Sequence, residues 1–144
     1  MAAGNVERCL RELGYAIVPI TGSSMLPLLR EGQSQVQVAA WQGEPLKKGD
    51  IVLYRREDGA LVLHRIVRVK DPETCLLCGD HQWKTEEWVH SSQILAVVQT
   101  IFQNGRPMAE KGWGYRLYRS LWCCNFTLRR CCLWLLRRGG FDQK

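Results

Sequence analysis

The sequence predicts a mainly β-protein with a short N-terminal helix and a C-terminal amphipathic helix. Three observations predict this fold class. Polar and apolar residues alternate along Gln33–Ala39, which is typical of a half-buried strand. Two β-rich runs, Ile51–Arg56 and Leu61–Val69, flank an Asp58-Gly59 turn and predict a hairpin. From Gly112 onward the pattern becomes helical and rich in Arg, Trp, Cys and Leu.

The other predicted elements follow from local signals. A helix is expected over Asn5–Leu13, which begins with an N-cap residue and is followed by glycine. Further strands are predicted over Tyr15–Ile20, Cys75–Cys78 and Ile94–Phe102, with a polar loop at His81–Trp88. The body, roughly residues 15–108, is therefore expected to be mostly antiparallel β.

The charge divides the chain into two parts. Residues 1–110 contain 12 Lys and Arg against 13 Asp and Glu, a net charge of −1. Residues 111–144 contain 8 against 1, a net charge of +7, so the tail accounts for the overall +6. We therefore expect a catalytic or binding body over 1–110 and a basic tail over 111–144. A neutral body argues against a nucleic-acid partner, and a basic tail suggests an attachment segment.

The predicted tail helix is amphipathic. Its basic face consists of Arg116, Arg119, Arg130, Arg137 and Arg138. Its apolar face consists of Leu117, Leu121, Leu128, Cys132 and Leu135, with Trp113, Trp122 and Trp134 beside it. Such a helix suits a membrane surface, and it equally suits packing on the body or on a partner protein.

The sequence also predicts a location. Met1–Leu13 carries four charged residues and no apolar core, so no signal peptide is expected. No apolar run of roughly 18 residues occurs, so no conventional transmembrane helix is expected. Seven cysteines, four of them in adjacent pairs, do not resemble a disulfide framework. We expect a cytoplasmic protein, peripheral at the membrane if its tail binds there.

Ser24 is the first candidate for chemistry. It lies in the turn Gly22-Ser23-Ser24-Met25-Leu26-Pro27, directly after a predicted apolar strand. A stiff turn after a strand holds a nucleophile exposed, and Gly22 allows close approach of the backbone. The alternative is an ordinary Gly/Ser/Pro loop.

His64 is the second candidate. It lies in the middle of the predicted strand Leu61–Val69, where an apolar residue has the higher β-propensity. An imidazole is able to accept a proton from a serine hydroxyl near neutral pH. A lone strand histidine is otherwise a surface residue or a satisfied core residue.

Four short motifs occur in order: Gly22–Pro27, Gly49-Asp50-Ile51-Val52, His64-Arg65-Ile66-Val67 and Gly79-Asp80. In order and spacing they resemble the boxes of the signal peptidase I and LexA-like serine peptidase superfamily, over roughly residues 15–105. The resemblance implies coiled antiparallel β-sheets and a serine endopeptidase that needs no cofactor. It implies that Ser24 attacks the scissile carbonyl.

The resemblance also implies the other roles. His64-Arg65 is similar to the endoplasmic-reticulum and archaeal variant, in which histidine replaces lysine as the base. In that variant an acidic residue after the Gly-Asp pair orients the histidine, so Glu86 and Asp80 are both candidates. The Ser24 N–H is the expected oxyanion donor, with Ser23 as a weaker one and Gly22 and Met25 shaping the turn.

A metal site was weighed against this assignment. Cys75 and Cys78, followed by His81 and His90, are potential zinc ligands, but their spacing fits no common structural zinc module. The segment also has the pattern of a buried strand. No metal is therefore expected.

The leading hypothesis is a peptidase that cleaves an extended peptide or precursor protein in trans. One alternative is a LexA-like regulator that cleaves itself, although only about fourteen residues precede the first predicted strand. Another is a catalytically idle module that binds peptides or membranes.

Overall fold

One antiparallel sheet of eight strands forms the body of the protein, and a short helix precedes it. The computed structural model describes residues 3–82, 84–86, 88–108, 113–118, 120, 127–129, 131, 132 and 134. The predicted mainly β fold with an N-terminal helix is confirmed.

Helix α1 spans Ala3–Leu13. The strands are β1 (Tyr15–Pro19), β2 (Ser34–Ala40), β3 (Ile51–Arg55), β4 (Leu61–Asp71), β5 (Thr74–Cys78), β6 (Trp88–His90), β7 (Ile94–Gln103) and β8 (Arg106–Pro107). Helix α2 spans Trp113–Tyr118. The strand order is β1-β2-β7-β3-β4-β5-β6, and β8 pairs with the end of β7.

Two short strands were not predicted. β6 begins at Trp88, at the end of the segment predicted as a polar loop, and pairs with β5. β8 follows the Asn104-Gly105 turn and pairs with β7. Strands of two or three residues are too short to show an alternating pattern, so only their partners define them.

The tail is described in part. Tyr115 and Tyr118 of α2 pack against the body, whereas Leu117, Leu128 and Trp134 are exposed. The rest of the predicted tail helix, including most of its arginines, lies outside the described residues. None of the described helices is long and apolar enough to cross a membrane.

The central strand β3 is buried on both faces, which explains its continuous apolar sequence. Ile51 and Leu53 belong to one hydrophobic cluster, and Val52 and Tyr54 belong to a second cluster across the sheet. Successive side chains of a strand point to opposite faces, so β3 divides the core into two halves. The first half is covered by α1.

Candidate active site

The loop that carries Ser24 is anchored in the first hydrophobic cluster. Met25, Leu28 and Leu29 are buried there, and Leu29 is 0% exposed. Leu26 N–H donates to the Ser23 carbonyl at 3.1 Å, and Leu29 N–H donates to the Met25 carbonyl at 2.9 Å. These contacts hold the loop on both sides of Ser24, which itself stays half-buried.

Gly22 sets the path of the chain into this loop. Its φ is +77°, in the left-handed region that favours glycine. An added side chain would meet no atom within 4 Å, so the backbone conformation alone requires glycine here.

A second turn holds the Ser24 loop from the other side. His81 N–H donates to the Ser24 carbonyl oxygen at 2.8 Å. A Cβ at Gly79 would lie 2.5 Å from that same oxygen, closer than any side chain tolerates. The turn that contains the Gly-Asp motif therefore packs its backbone against the Ser24 loop, and the absence of a side chain at Gly79 permits this packing.

Ser24 and His64 line the same cavity, which has a volume of about 480 Å³. Its walls combine apolar residues, such as Val18, Leu61 and Leu63, with polar residues, such as Arg56 and Gln82.

The position of His64 in the sheet explains how it reaches this cavity. His64 pairs with Val52 of β3, so its side chain lies on the Val52 and Tyr54 side of the sheet. Among the described residues, β5 pairs with β4 only from Arg65 onward. The first four residues of β4 therefore form an edge, and the cavity runs across that edge from Ser24 to His64.

Two groups contact the Nδ1 side of the imidazole. Tyr54 Oη lies 3.3 Å from His64 Nδ1, and Glu86 Oε1 lies 3.5 Å from the same nitrogen. A carboxylate only accepts hydrogen bonds, so this arrangement favours the tautomer with the proton on Nδ1. The lone pair of Nε2 is then available as a base.

Burial determines the charge of the imidazole. His64 is 1% exposed, and burial lowers its pKa to about 4, with Arg56 lowering it and Glu86 opposing the shift. The histidine is therefore neutral at pH 7. Burial and the charge of Glu86 also raise the pKa of Tyr54 to about 12, so its hydroxyl remains protonated.

Arg56 and Tyr54 belong to the site, and the sequence did not single them out. Arg56 Nη2 donates to Glu86 Oε1 at 2.6 Å and thereby fixes the carboxylate beside His64. Glu86 N–H donates to the Leu77 carbonyl at 2.9 Å, which holds its backbone on β5. The pairing register of the predicted hairpin could have indicated Tyr54. Val52 pairs with His64, and Tyr54, two residues further along β3, points to the same face of the sheet.

Asp80 has a different partner from Glu86. Arg65 Nε donates to Asp80 Oδ1 at 2.8 Å and Arg65 Nη2 donates to Oδ2 at 2.7 Å, with both side chains fully buried. Of the two candidate carboxylates, Glu86 is the one in contact with the imidazole. Asp80 joins the strand of His64 to the turn that contacts the Ser24 loop.

Ser24 and His64 line one cavity without a hydrogen bond between them. None of the hydrogen bonds between described residues joins Ser24 to His64. Catalytic hydrogen bonds are often long without substrate and shorten in the complex. Backbone hydrogen bonds among the described residues also leave the Ser24 N–H unused, so this donor is available for an oxyanion.

The two cysteines of β5 lie apart. Cys75 and Cys78 are three residues apart on one strand, so their side chains point to opposite faces. Burial raises the pKa of each thiol to about 11, which keeps both in the neutral form that binds metals poorly. Within the described ranges, no three His, Cys, Asp or Glu side chains form a group able to hold a metal ion.

No protein-family model matches the chain, and no curated protein matches it. The resemblance to signal peptidases and LexA-like peptidases therefore stays a prediction from the sequence.

Proposed function

We propose that the protein is a serine endopeptidase in which Ser24 is the nucleophile, His64 the general base and Glu86 the group that orients the base. One observation carries the proposal. A half-buried serine and a buried neutral histidine line one cavity, and a carboxylate oxygen lies 3.5 Å from Nδ1 of the histidine. These are the three groups that acyl transfer by a serine requires.

The proposed substrate is an extended peptide or a precursor protein. The cavity lies between the end of β1, at Val18–Ile20, and the edge of β4, at Leu61–His64. Both strands have a side without a partner among the described strands, so a peptide is able to pair with their backbone groups. The apolar part of the wall, at Val18, Leu61 and Leu63, is suited to apolar side chains of a substrate.

The proposed reaction has two steps. Ser24 Oγ attacks the scissile carbonyl carbon while its proton moves to His64 Nε2, and the Ser24 N–H stabilises the oxyanion. The carbon–nitrogen bond then breaks, and the amine leaves with the proton from His64. In the second step water, deprotonated by His64, attacks the acyl carbon. The bond from this carbon to Ser24 Oγ breaks, His64 returns the proton to Ser24 Oγ, and the acid is released.

The proposal is tested by peptide cleavage. The purified protein is incubated with a library of unstructured peptides, and products are identified by mass spectrometry. Cleavage at defined bonds by the wild type, with none by Ser24→Ala or His64→Ala, supports it. Ser92→Ala, which changes an exposed serine outside the cavity, is the matched control and should cleave normally.

A catalytically idle peptide-binding module is the second candidate, because no hydrogen bond joins Ser24 to His64. That function predicts peptide binding without any cleavage, even after long incubation. Self-cleavage, as in LexA-like regulators, predicts instead that the mass of the chain itself decreases in a Ser24-dependent way.

The tail is proposed to bring the cytoplasmic protein to a membrane surface. The +7 charge of residues 111–144 and the exposed side chains of Leu117, Leu128 and Trp134 support this location. Co-sedimentation with anionic but not with neutral vesicles tests it. Binding to neither kind of vesicle would favour a partner protein as the occupant.

A further inference from the structure

The C-terminal segment reaches into the body at Asp80. Tyr118 Oη donates to Asp80 Oδ2 at 2.9 Å, and Arg129 Nη1 lies 3.7 Å from Asp80 Oδ1. Asp80 and Arg129 are both 0% exposed. The tail is therefore joined to a buried charge in the catalytic body.

Asp80 lies in the turn that holds the Ser24 loop. Its neighbour His81 donates its N–H to the Ser24 carbonyl, and a Cβ at Gly79 would lie 2.5 Å from the same oxygen. Gln82 N–H donates to the Gly79 carbonyl at 3.0 Å and closes the turn. A shift of Asp80 would therefore move the backbone that supports the nucleophile.

Asp80 is also joined to the strand of the proposed base. Arg65, which binds both carboxylate oxygens, follows His64 in β4. Arg65 Nη1 also donates to the Gly49 carbonyl at 2.8 Å. One carboxylate thus connects the tail, the strand of His64 and the turn beneath Ser24.

We propose that Tyr118 is a positioning residue, and that docking of the C-terminal segment on Asp80 fixes the Gly79–Gln82 turn and through it the Ser24 loop. Hydrogen bonds to a buried carboxylate are charge-assisted and shorter than neutral ones, so each one restricts the motion of the group it binds. The catalytic part of this inference rests on the proposed function. The docking part does not.

The test compares Tyr118→Phe with Tyr115→Phe in the full chain. Both changes remove one hydroxyl from α2, and both rings pack against the same hydrophobic cluster. Only Tyr118 has a hydroxyl that donates to Asp80. The first measurement is hydrogen exchange of the His81 amide by NMR. We expect exchange about tenfold faster in Tyr118→Phe, and unchanged in Tyr115→Phe.

The second measurement is peptide cleavage, with kcat and KM determined separately. Tyr118→Phe should lower kcat about tenfold at an unchanged KM, because the substrate cavity is intact while the nucleophile is less well held. Unchanged His81 exchange would overturn the docking inference. Faster exchange at an unchanged kcat would overturn the positioning role.

The two proposals fail in different ways. A wild-type protein that cleaves nothing contradicts the endopeptidase, whereas the exchange result still decides whether the tail holds the turn. Should Tyr118→Phe fail to fold, Arg129→Lys replaces it, because this change keeps the positive charge and removes the guanidinium that lies near Asp80. It should show faster His81 exchange, and unchanged exchange would again contradict docking.

Discussion

His64 is both neutral at pH 7 and next to a carboxylate that would stabilise its charged form. Burial keeps the imidazole neutral at pH 7, and Glu86 is close enough to stabilise the imidazolium that forms when it accepts a proton. Arg56 binds the same carboxylate and lowers the pKa of His64 through its own charge. The pKa of His64 thus depends on an arginine that is hydrogen-bonded to Glu86 and not to the imidazole itself.

Arg56→Gln tests this dependence. Removal of the positive charge should raise the pKa of His64, so the acid limb of the kcat/KM profile should move to higher pH. Arg55→Gln is the matched control. It removes the same charge from the neighbouring residue, whose ion-pair partner is Glu7, 2.6 Å away. A limb that stays in place in Arg56→Gln, or moves equally in both variants, would contradict this account.

Glu86→Gln separates the two candidate carboxylates. It should lower kcat roughly 100-fold with little change in KM, because Glu86 orients His64 and does not line the substrate cavity. Asp80→Asn should instead lower the free energy of unfolding by about 3 kcal/mol, since it leaves Arg65 buried with a neutral partner. Enzyme kinetics and urea denaturation measure the two effects. A stable Asp80→Asn without activity, beside a fully active Glu86→Gln, would reverse the assignment.

Motif spacing was enough to name Ser24, His64, Glu86 and Asp80 as candidates. Motif spacing did not decide which carboxylate contacts His64. Asp80 is bound by Arg65 instead, and these two residues are fifteen apart in the sequence, so no local pattern indicates the contact. Motif spacing missed Arg56 because an arginine at the end of a strand is usually solvated, and nothing local indicates that it pairs with Glu86.

The Gly79–Gln82 turn is the element that contacts the backbone of the Ser24 loop. Its hydrogen bond to the Ser24 carbonyl and the bare Cα of Gly79 make the two segments pack backbone against backbone. Backbone atoms have no rotamers to change, so this contact tolerates no added side chain.

Gly79→Ala tests the contact. Its methyl group would lie 2.5 Å from the Ser24 oxygen, so we expect a loss of stability of about 1–3 kcal/mol and strongly reduced cleavage. Gly4→Ala in α1 is the control, because its methyl group meets no atom within 4 Å and alanine favours a helix. Thermal unfolding and cleavage rates are measured together. Normal cleavage by Gly79→Ala would show that the loop does not depend on this turn.

The helices and strands that have a recognisable sequence pattern were predicted. Strands that are too short for a pattern, and that depend on pairing with a neighbouring strand, were not. The β3–β4 hairpin follows from an Asp-Gly turn between β-rich runs, and α1 follows from its spaced apolar residues. β6 has three residues and exists because β5 offers it an edge. The cavity across the edge of β4 was likewise beyond prediction, since it depends on where β5 stops pairing.

The free energy of unfolding should depend on pH because of the buried histidine. Folding lowers the pKa of His64 from 6.5 to about 4. The unfolded state therefore binds more protons between these values, so stability rises with pH there. The stability that depends on a neutral His64 is fully present above about pH 6.5 and is lost as the pH falls to about 4.

Chemical denaturation at several pH values checks this expectation. The wild type should lose about 3 kcal/mol more than His64→Gln between pH 7 and pH 4, because the variant has no proton to bind at that position. Other titrating groups are common to both proteins and cancel in the comparison. Parallel stability curves would mean that His64 is not held in a desolvated, neutral state.

The charge of the molecule is divided between its parts. The tail carries the excess positive charge, yet Arg129 and Tyr118 of that tail lie at the buried Asp80. The proposed membrane attachment and the proposed positioning of the Ser24 loop thus belong to one segment. Part of the basic tail thus packs on the neutral body, which is one of the arrangements that the sequence pattern of the tail predicted.

The most direct test of the account is covalent labelling by a fluorophosphonate, followed by mapping of the modified residue by mass spectrometry. We predict that the wild type is labelled at Ser24, that Ser24→Ala is not labelled, and that His64→Ala is labelled at least about 100-fold more slowly. Labelling that persists in Ser24→Ala, or a wild type that never reacts, would contradict the claim that Ser24 is a nucleophile activated by His64.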